Sequence, residues 1–375
     1  MSVHKTSDGT WRVKYRENGR QFSKNFPTKA LASRFDADVK ERKVEGRPLA
    51  RLKDAPTLEE FTVQWLAQRD DLSPKSQESY ALVLENHVIP FLGHLRVHGS
   101  ELRPVVLANW QQERLRAGAG RESIRRAQVA LSQILDRAVL PYELLESNPI
   151  KPVGAPKQRK KEPRFLTGVE VEQIRLVLTE EGDQESAVLI SVLAYVGIRP
   201  QDALALTWGH LGEELAVFQK NVDGQIIPGA KRGLGYRRGV NLPDPVRDDL
   251  EEWRLANGGP SATDPIFASS DGGWWNADRY RNWRSRQFNS AVKKSEVGDL
   301  TPYALRHTCA SLLAAAGWNH LEIARQLGHS PETSVKVYQH LINAGNGRRR
   351  SIDEWIVDAR VEVRATAEDF QSRGA

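Results

Sequence analysis

The sequence predicts a multidomain chain, mainly α-helical, with small β-sheets confined to two stretches. Apolar residues recur at helical spacing through residues 57–148, 166–208 and 301–340, opened by capping residues and closed by Gly or Pro. Strand-like stretches occur at 3–26, with apolar and cationic residues alternating over 11–16, and at 214–243. Between two helical regions, IKPVGAPKQRKKEPRF at 150–165 has no periodicity and is rich in proline and cations, as in a linker.

The 375 residues suffice for two or three domains. The single Cys, Cys309, lies on an apolar helix face, so no disulfide framework or Cys-based metal site is expected and a reducing cytoplasm fits. There is no long apolar run, and MSVHKTSDGT has no signal-peptide core, so a soluble intracellular protein with no membrane partner is expected. Net charge is +6, unevenly spread: residues 1–55 hold 14 Lys/Arg against 7 Asp/Glu, and 151–165 hold 6 against 1. Such concentration suits a polyanion partner, and equally a solvated, self-repelling surface.

Each element follows in order. Trp11, Val13 and Tyr15 alternate with Arg12, Lys14 and Arg16, and Glu17-Asn18-Gly19 supplies a tight hairpin turn. A helix follows with Thr28 as cap and Leu31, Phe35 and Val39 facing the sheet. The cationic face of that ribbon can enter a major groove. Residues 57–148 read as all-helical: Thr57 with Glu60 makes a capping box, Ser73-Pro74 opens the next helix, and Pro90–Gly93 breaks the pattern. The run 121–140 keeps Ile124, Ala127, Leu131, Ile134 and Ala138 on one face.

A new domain begins at 166 with a second capping box, Thr167 and Glu170. A very apolar helix over 187–193 stops at Gly197, and Arg199 stands just before Pro200 at the next helix start. Asp202, three residues on, can hold the Arg199 guanidinium by a bidentate pair. Strands are expected at 215–218, 224–227 and 238–242, another helix from Asp244-Pro245, and a Trp/Arg/Lys-rich helix over 274–294.

Residues 301–340 read as three short helices. Thr301 caps the first, with Pro302 at its first position, and Gly317 closes it. Leu305, Cys309, Leu312, Leu313 and Ala316 form its buried stripe, with Tyr303, Arg306 and His307 on an adjacent face. The second opens at Asn319, with Glu322 three residues on, and ends at Gly328, which leaves His329 at a junction. The third starts near Pro331 and carries Tyr338.

Leu305-Arg306-His307-Thr308, Leu327-Gly328-His329-Ser330 and Tyr338, preceded by Gly197-Ile198-Arg199-Pro200, resemble in order and spacing the signature of the tyrosine recombinase (phage integrase) family. The resemblance implies a ββ(β)α arm-type DNA-binding domain at 1–55, a helical, SAM-like core-binding domain at 56–150, a basic linker at 151–165, and a mixed α+β catalytic domain with C-terminal tail at 166–375. It implies that Arg199 and Arg306 clamp a phosphate, His329 adds a donor, Lys231 protonates the leaving oxygen and Tyr338 attacks. The resemblance places this lysine in a hairpin, at Gly229-Ala230-Lys231-Arg232-Gly233, and Arg232 beside Lys231 leaves the assignment between the two open. Where the family usually has His, three residues before Arg306, this chain has Tyr303. A phenol donates the same hydrogen bond but is a poor base at neutral pH, so the group that deprotonates Tyr338 is unassigned.

DNA contacts are expected from Arg12, Lys14, Arg16, Lys157, Arg159, Lys160 and Lys161. The implied partners are double-stranded attachment sites, a homotetramer assembled on them, and an excisionase and a host DNA-bending protein as candidate accessory factors, in the cytoplasm at the nucleoid. No cofactor or metal is expected. Alternatives are a chromosome-dimer resolvase of the same chemistry and a helix-turn-helix regulator, which Ala324 and Gly328 also suit but which needs neither Arg199 nor Tyr338. A metal nuclease would need clustered carboxylates near His, a pattern not apparent in this sequence.

Overall fold

The computed structural model describes residues 2–17, 20–44, 54–157, 164–217, 219–228, 238–336 and 351–374. The chain divides into two units, Met1–Lys160 and Lys161–Ala375.

The first unit opens with three antiparallel strands, β1 (Ser2–Lys5), β2 (Trp11–Glu17) and β3 (Arg20–Phe26), followed by helix α1 (Lys29–Val44). Pairing of Glu17 with Arg20 leaves a two-residue connection, as the Asn-Gly pair predicts. Thr28 caps α1 through the Leu31 amide. The buried stripe differs from expectation by one position. Ala32 and Val39 are buried, whereas Leu31 is 47% exposed. Phe35 sets this rotation, because its ring meets Tyr15 at 5.6 Å and Phe26 at 5.1 Å.

Helices α2 (Leu58–Ala67), α3 (Pro74–His87), α4 (Ile89–Leu92), α5 (Pro104–Arg116) and α6 (Arg121–Val139) complete this unit. Thr57 and Glu60 form the expected reciprocal cap, and all five apolar residues expected on α6 are buried. The break at Pro90 is itself a helical turn, α4, since proline is tolerated in a first turn. Part of the expected linker is tied down. Gln111 and Gln128 both donate to the Gly154 carbonyl at 2.8 Å, and Lys151 pairs with Asp136 at 2.7 Å.

In the second unit, α7 (Gly168–Glu180) starts at the Thr167/Glu170 capping box, and α8 (Gln184–Ser191) at Asp183. α8 runs into a π turn, Val192–Val196, entirely buried and closed by Gly197 in the left-handed region. Then come α9 (Pro200–Ala203), β4 (Glu214–Val217), the hairpin β5 (Gln219–Val222) and β6 (Gln225–Pro228), and β7 (Arg238–Asn241), which pairs with β4. β5 carries no alternation that would announce it. α10 (Asp244–Ala256) leads to α11 (Ala277–Trp283) and α12 (Asn289–Lys294), separated by a second π turn at Arg284–Phe288. Last are α13 (Pro302–Ala315), α14 (His320–Leu327), α15 (331–336) and α16 (Ile352–Gly374).

α16 is fastened to α7 and α10 by buried charges. Arg360 donates to Asp249 at 2.6 Å and lies 3.5 Å from Glu172. Arg175 pairs with Asp249 at 2.9 Å and also bonds Glu172. Tyr195 and Ser191 donate to the same two carboxylates, at 2.6 and 2.7 Å. Two guanidiniums thus balance two carboxylates, and the hydroxyls add hydrogen bonds to both acids. No helix among the described residues is long and apolar enough to cross a membrane.

Candidate functional site

The C-terminus of α14 organises the site. A helix end leaves carbonyls without partners and carries partial negative charge, so cations are drawn to it. Here two arginines far apart in sequence converge on consecutive carbonyls. Arg306, from α13, donates to the Leu327 oxygen and, at 2.7 Å, to the Gly197 oxygen. Arg199, the residue before α9, donates to the Gly328 oxygen at 3.2 Å. Gly328 itself adopts the left-handed conformation that ends α14 and turns the chain toward His329.

The two guanidiniums differ in exposure. Arg306 is only 2% exposed and held on both arms, while 42% of the Arg199 side chain is accessible. Rigid elements therefore present two fixed positive charges at one helix end, one anchored and one reaching solvent.

Asp202 is close to Arg199 but does not grip it as expected. The contact is a single 3.8 Å approach of Asp202 Oδ2 to Arg199 Nη1, not a bidentate fork. The guanidinium is turned instead toward the Gly328 carbonyl, which takes Nη2.

His329 Nδ1 donates to the Ser330 carbonyl at 3.1 Å, since a carbonyl can only accept. With Nδ1 carrying a hydrogen, Nε2 accepts a proton in the neutral ring and donates one in the imidazolium. Tyr303 is 47% exposed, one turn before Arg306, with its ring edge-on to His307 at 5.2 Å. Its hydroxyl makes no hydrogen bond among the described residues. Burial, and then the neighbouring Arg306 charge, lower the pKa of His307. Lys231 and Tyr338 lie outside the described residues, as do Arg159, Lys160 and Lys161.

Three contacts support this centre from below. Gly197 adopts φ +73°, and an added Cβ would lie 2.5 Å from Leu327 Cδ2 and 2.6 Å from Cys309 Sγ. Cys309 is fully buried there, its thiol pKa pushed up to about 12 by desolvation. Thr308 accepts the Leu166 amide at 3.0 Å and so pins the entry to α7. The third is Gln326, buried on α14 and bonded to the backbone of β7 and of Val196. No sequence signal marks Gln326, because its partners lie 85 and 130 positions away.

In the first unit, the three-stranded sheet gathers polar groups on the face opposite α1. Lys14 and Arg16 are exposed, and Arg12 is half-buried, donating to Asn25 at 2.9 Å. Register sets Arg12 beside His4 and Asn25, Lys14 beside Ser2 and Ser23, and Arg16 beside Gln21. Lys157 is exposed, and its carbonyl accepts Arg121 at 3.4 Å.

Comparison with known proteins adds to this geometry. The profile of the Phage integrase family matches residues 164–344, and that of the Phage integrase N-terminal SAM-like domain matches 57–115. The chain is 26% identical over 306 residues to tyrosine recombinase XerC of Mesorhizobium japonicum, covering 76% of this chain and 91% of that protein. It is 25% identical over 304 residues to the integrase of Mycobacterium phage D29, covering 76% and 75%. A lambda integrase tetramer bound to a Holliday junction superposes with TM-score 0.61 at 16% identity, over 93% of this chain and 97% of that one. The Tn1549 transposon integrase with transposon right-end DNA gives TM-score 0.64 at 16% identity, over 82% and 98%. At these identities the superpositions establish the fold.

Proposed function

This chain belongs to the phage integrase family of tyrosine recombinases, and from that membership we propose that it is the integrase of a phage or other mobile element, cutting and rejoining DNA at specific sites through a 3′-phosphotyrosyl intermediate. The observation that carries the chemistry is the convergence of Arg199 and Arg306 on the carbonyls that end α14.

A phosphodiester resists attack because its phosphoryl group is anionic and its leaving alkoxide is poor. Two guanidiniums fixed beside each other neutralise the nonbridging oxygens as charge builds in the transition state. Losing such a donor typically costs about 3–4 kcal/mol of barrier. His329 Nε2 adds a third donor when the ring is protonated, and the Tyr303 hydroxyl a fourth. Tyr338 Oη attacks phosphorus and forms the phosphotyrosyl bond, while the 5′-oxygen departs with a proton from Lys231. The new bond conserves the phosphodiester's energy, so a second strand can reverse the step without ATP.

The partner is double-stranded attachment-site DNA. The lambda integrase tetramer on a Holliday junction supports assembly of four copies on DNA here. An excisionase and a host bending protein would set direction, and the work would take place at the nucleoid, in the cytoplasm. Residues 1–55, with the cationic face of β2, would hold distal arm sites, 56–150 and the basic run at 151–165 the core site, and 166–375 the chemistry. This front sheet favours an integrase over a chromosome-dimer resolvase, which usually lacks an arm-binding domain.

A nicked suicide substrate tests the reading, because loss of a short fragment traps the covalent adduct. Wild type should accumulate adduct, and Tyr338→Phe should bind the site yet form none. Adduct formation by Tyr338→Phe would show that the nucleophile is another residue.

A further inference from the structure

We infer that Gln326 is a positioning residue that fixes the separation of the two carbonyls holding Arg306, and thereby the direction of its guanidinium. This rests on the reading of Arg306 as a phosphate clamp.

Gln326 sits on the packed face of α14, 4% exposed, between Ile323 and Leu327, which are fully buried. A residue needed there only for volume would be apolar, since a buried carboxamide is costly unless its hydrogen bonds are made. The hydrogen bonds of its side chain to described residues run to backbone. Nε2 donates to the Val196 oxygen and to the Asn241 oxygen, both at 3.0 Å, and Oε1 accepts the Asn241 amide at 2.9 Å.

The partners are what matter. Val196 immediately precedes Gly197, whose carbonyl accepts Arg306, and Gln326 immediately precedes Leu327, whose carbonyl also accepts Arg306. Gln326 and Arg306 therefore link the same two segments, 196–197 and 326–327, as adjacent rungs. The Gln326 rung also ties both segments to β7. Without it, Arg306 loses the neighbouring hydrogen-bonded rung between the two segments, leaving apolar packing of Leu327 on Gly197, which has no directional preference, and the fork can swing. A displacement of 1 Å at a reacting group costs roughly 100-fold in rate.

The test uses the full chain and single-turnover cleavage of the nicked substrate. Gln326→Met keeps the volume and removes the amide. It should slow cleavage roughly 10- to 100-fold while leaving DNA affinity unchanged. Arg306→Lys keeps the charge but loses the fork, and should also be slow. In the Arg306→Lys background, Gln326→Met should cost less than about threefold more, because both changes damage one device. Multiplying losses, or a Gln326→Met protein cleaving at the wild-type rate, would overturn the inference. Should Gln326→Met lose its cooperative melting transition, Gln326→Glu enters the same cycle. It still accepts from Asn241 but, once ionised, has no hydrogen for Val196. If Arg306→Lys itself cleaves normally, the phosphate-clamp reading fails instead, so the two failures are distinct.

Discussion

Arg306 Nη1 meets the Gly197 carbonyl at 2.7 Å across 109 positions of sequence, and the residue that offers this carbonyl has no room for a side chain. Gly197→Ala would face both a left-handed backbone, at about 1–2 kcal/mol, and overpacking against Leu327 and Cys309, at about 1–3 kcal/mol. The expected result is a lower melting temperature and strongly reduced adduct formation at temperatures where the protein is still folded. Melting curves and suicide-substrate cleavage on the same preparation check both parts.

Tyr303→Phe should slow cleavage about 10- to 100-fold, the usual worth of a hydrogen bond to a charged group. Melting should be unchanged, because the ring contact with His307 needs no hydroxyl. Tyr303→His should retain activity. A Phe variant cleaving at the wild-type rate would make the residue structural.

Strand cleavage should proceed in EDTA without nucleotide, because fixed guanidinium charge does the work of a divalent ion at the phosphoryl oxygens. An absolute requirement for Mg²⁺ in adduct formation would contradict this.

Removing residues 1–55 should weaken binding to long attachment DNA relative to a bare core site, while adduct formation on the core site persists. Those residues hold 14 of the 54 basic side chains, and every proposed catalytic residue lies beyond 198. Gel-shift titrations on both DNAs would show unchanged relative affinity if the front domain has no separate target.

Glu185 gives the stability a pH dependence of known sign. Desolvation raises its pKa to about 7, outweighing the pull of Arg279 at 2.8 Å, with the Asp183 charge adding to the rise. A carboxyl with a raised folded-state pKa holds its proton more tightly folded than unfolded. Its contribution is therefore complete below the unfolded value of 4.5 and is lost as pH rises toward 7. Glu185→Gln should flatten that fall, by an amount on the order of 1–3 kcal/mol between pH 4.5 and 7.5, read from denaturant melts. Parallel pH profiles for wild type and variant would show that Glu185 is ionised throughout.

What could be read from sequence was local. Thr57 with Glu60, Thr167 with Glu170, and Asn319 with Glu322 are caps made between residues three apart, and each forms as its spacing predicts. The α6 stripe is legible for the same reason. Arg199 and Arg306 are legible as types, but their meeting depends on carbonyls 129 and 21 positions away. Val192–Val196 is buried on all sides, and its π turn is not encoded in any periodicity of the sequence. Leu31 was expected inside because spacing alone cannot tell which of two adjacent stripes the aromatic rings of the sheet will claim.

The four charges that fasten α16 have a consequence for how this protein can change over generations. Arg175, Arg360, Glu172 and Asp249 balance only as a set. Removing one member strands an uncompensated buried charge, at about 3–5 kcal/mol, whereas an all-apolar replacement of such a cluster is often neutral or stabilising. Single nucleotide changes at these codons thus lead downhill, and the apolar alternative lies across a valley that one substitution at a time does not cross. The cluster can be inherited as a block without contributing much net stability, retained because its exits are closed.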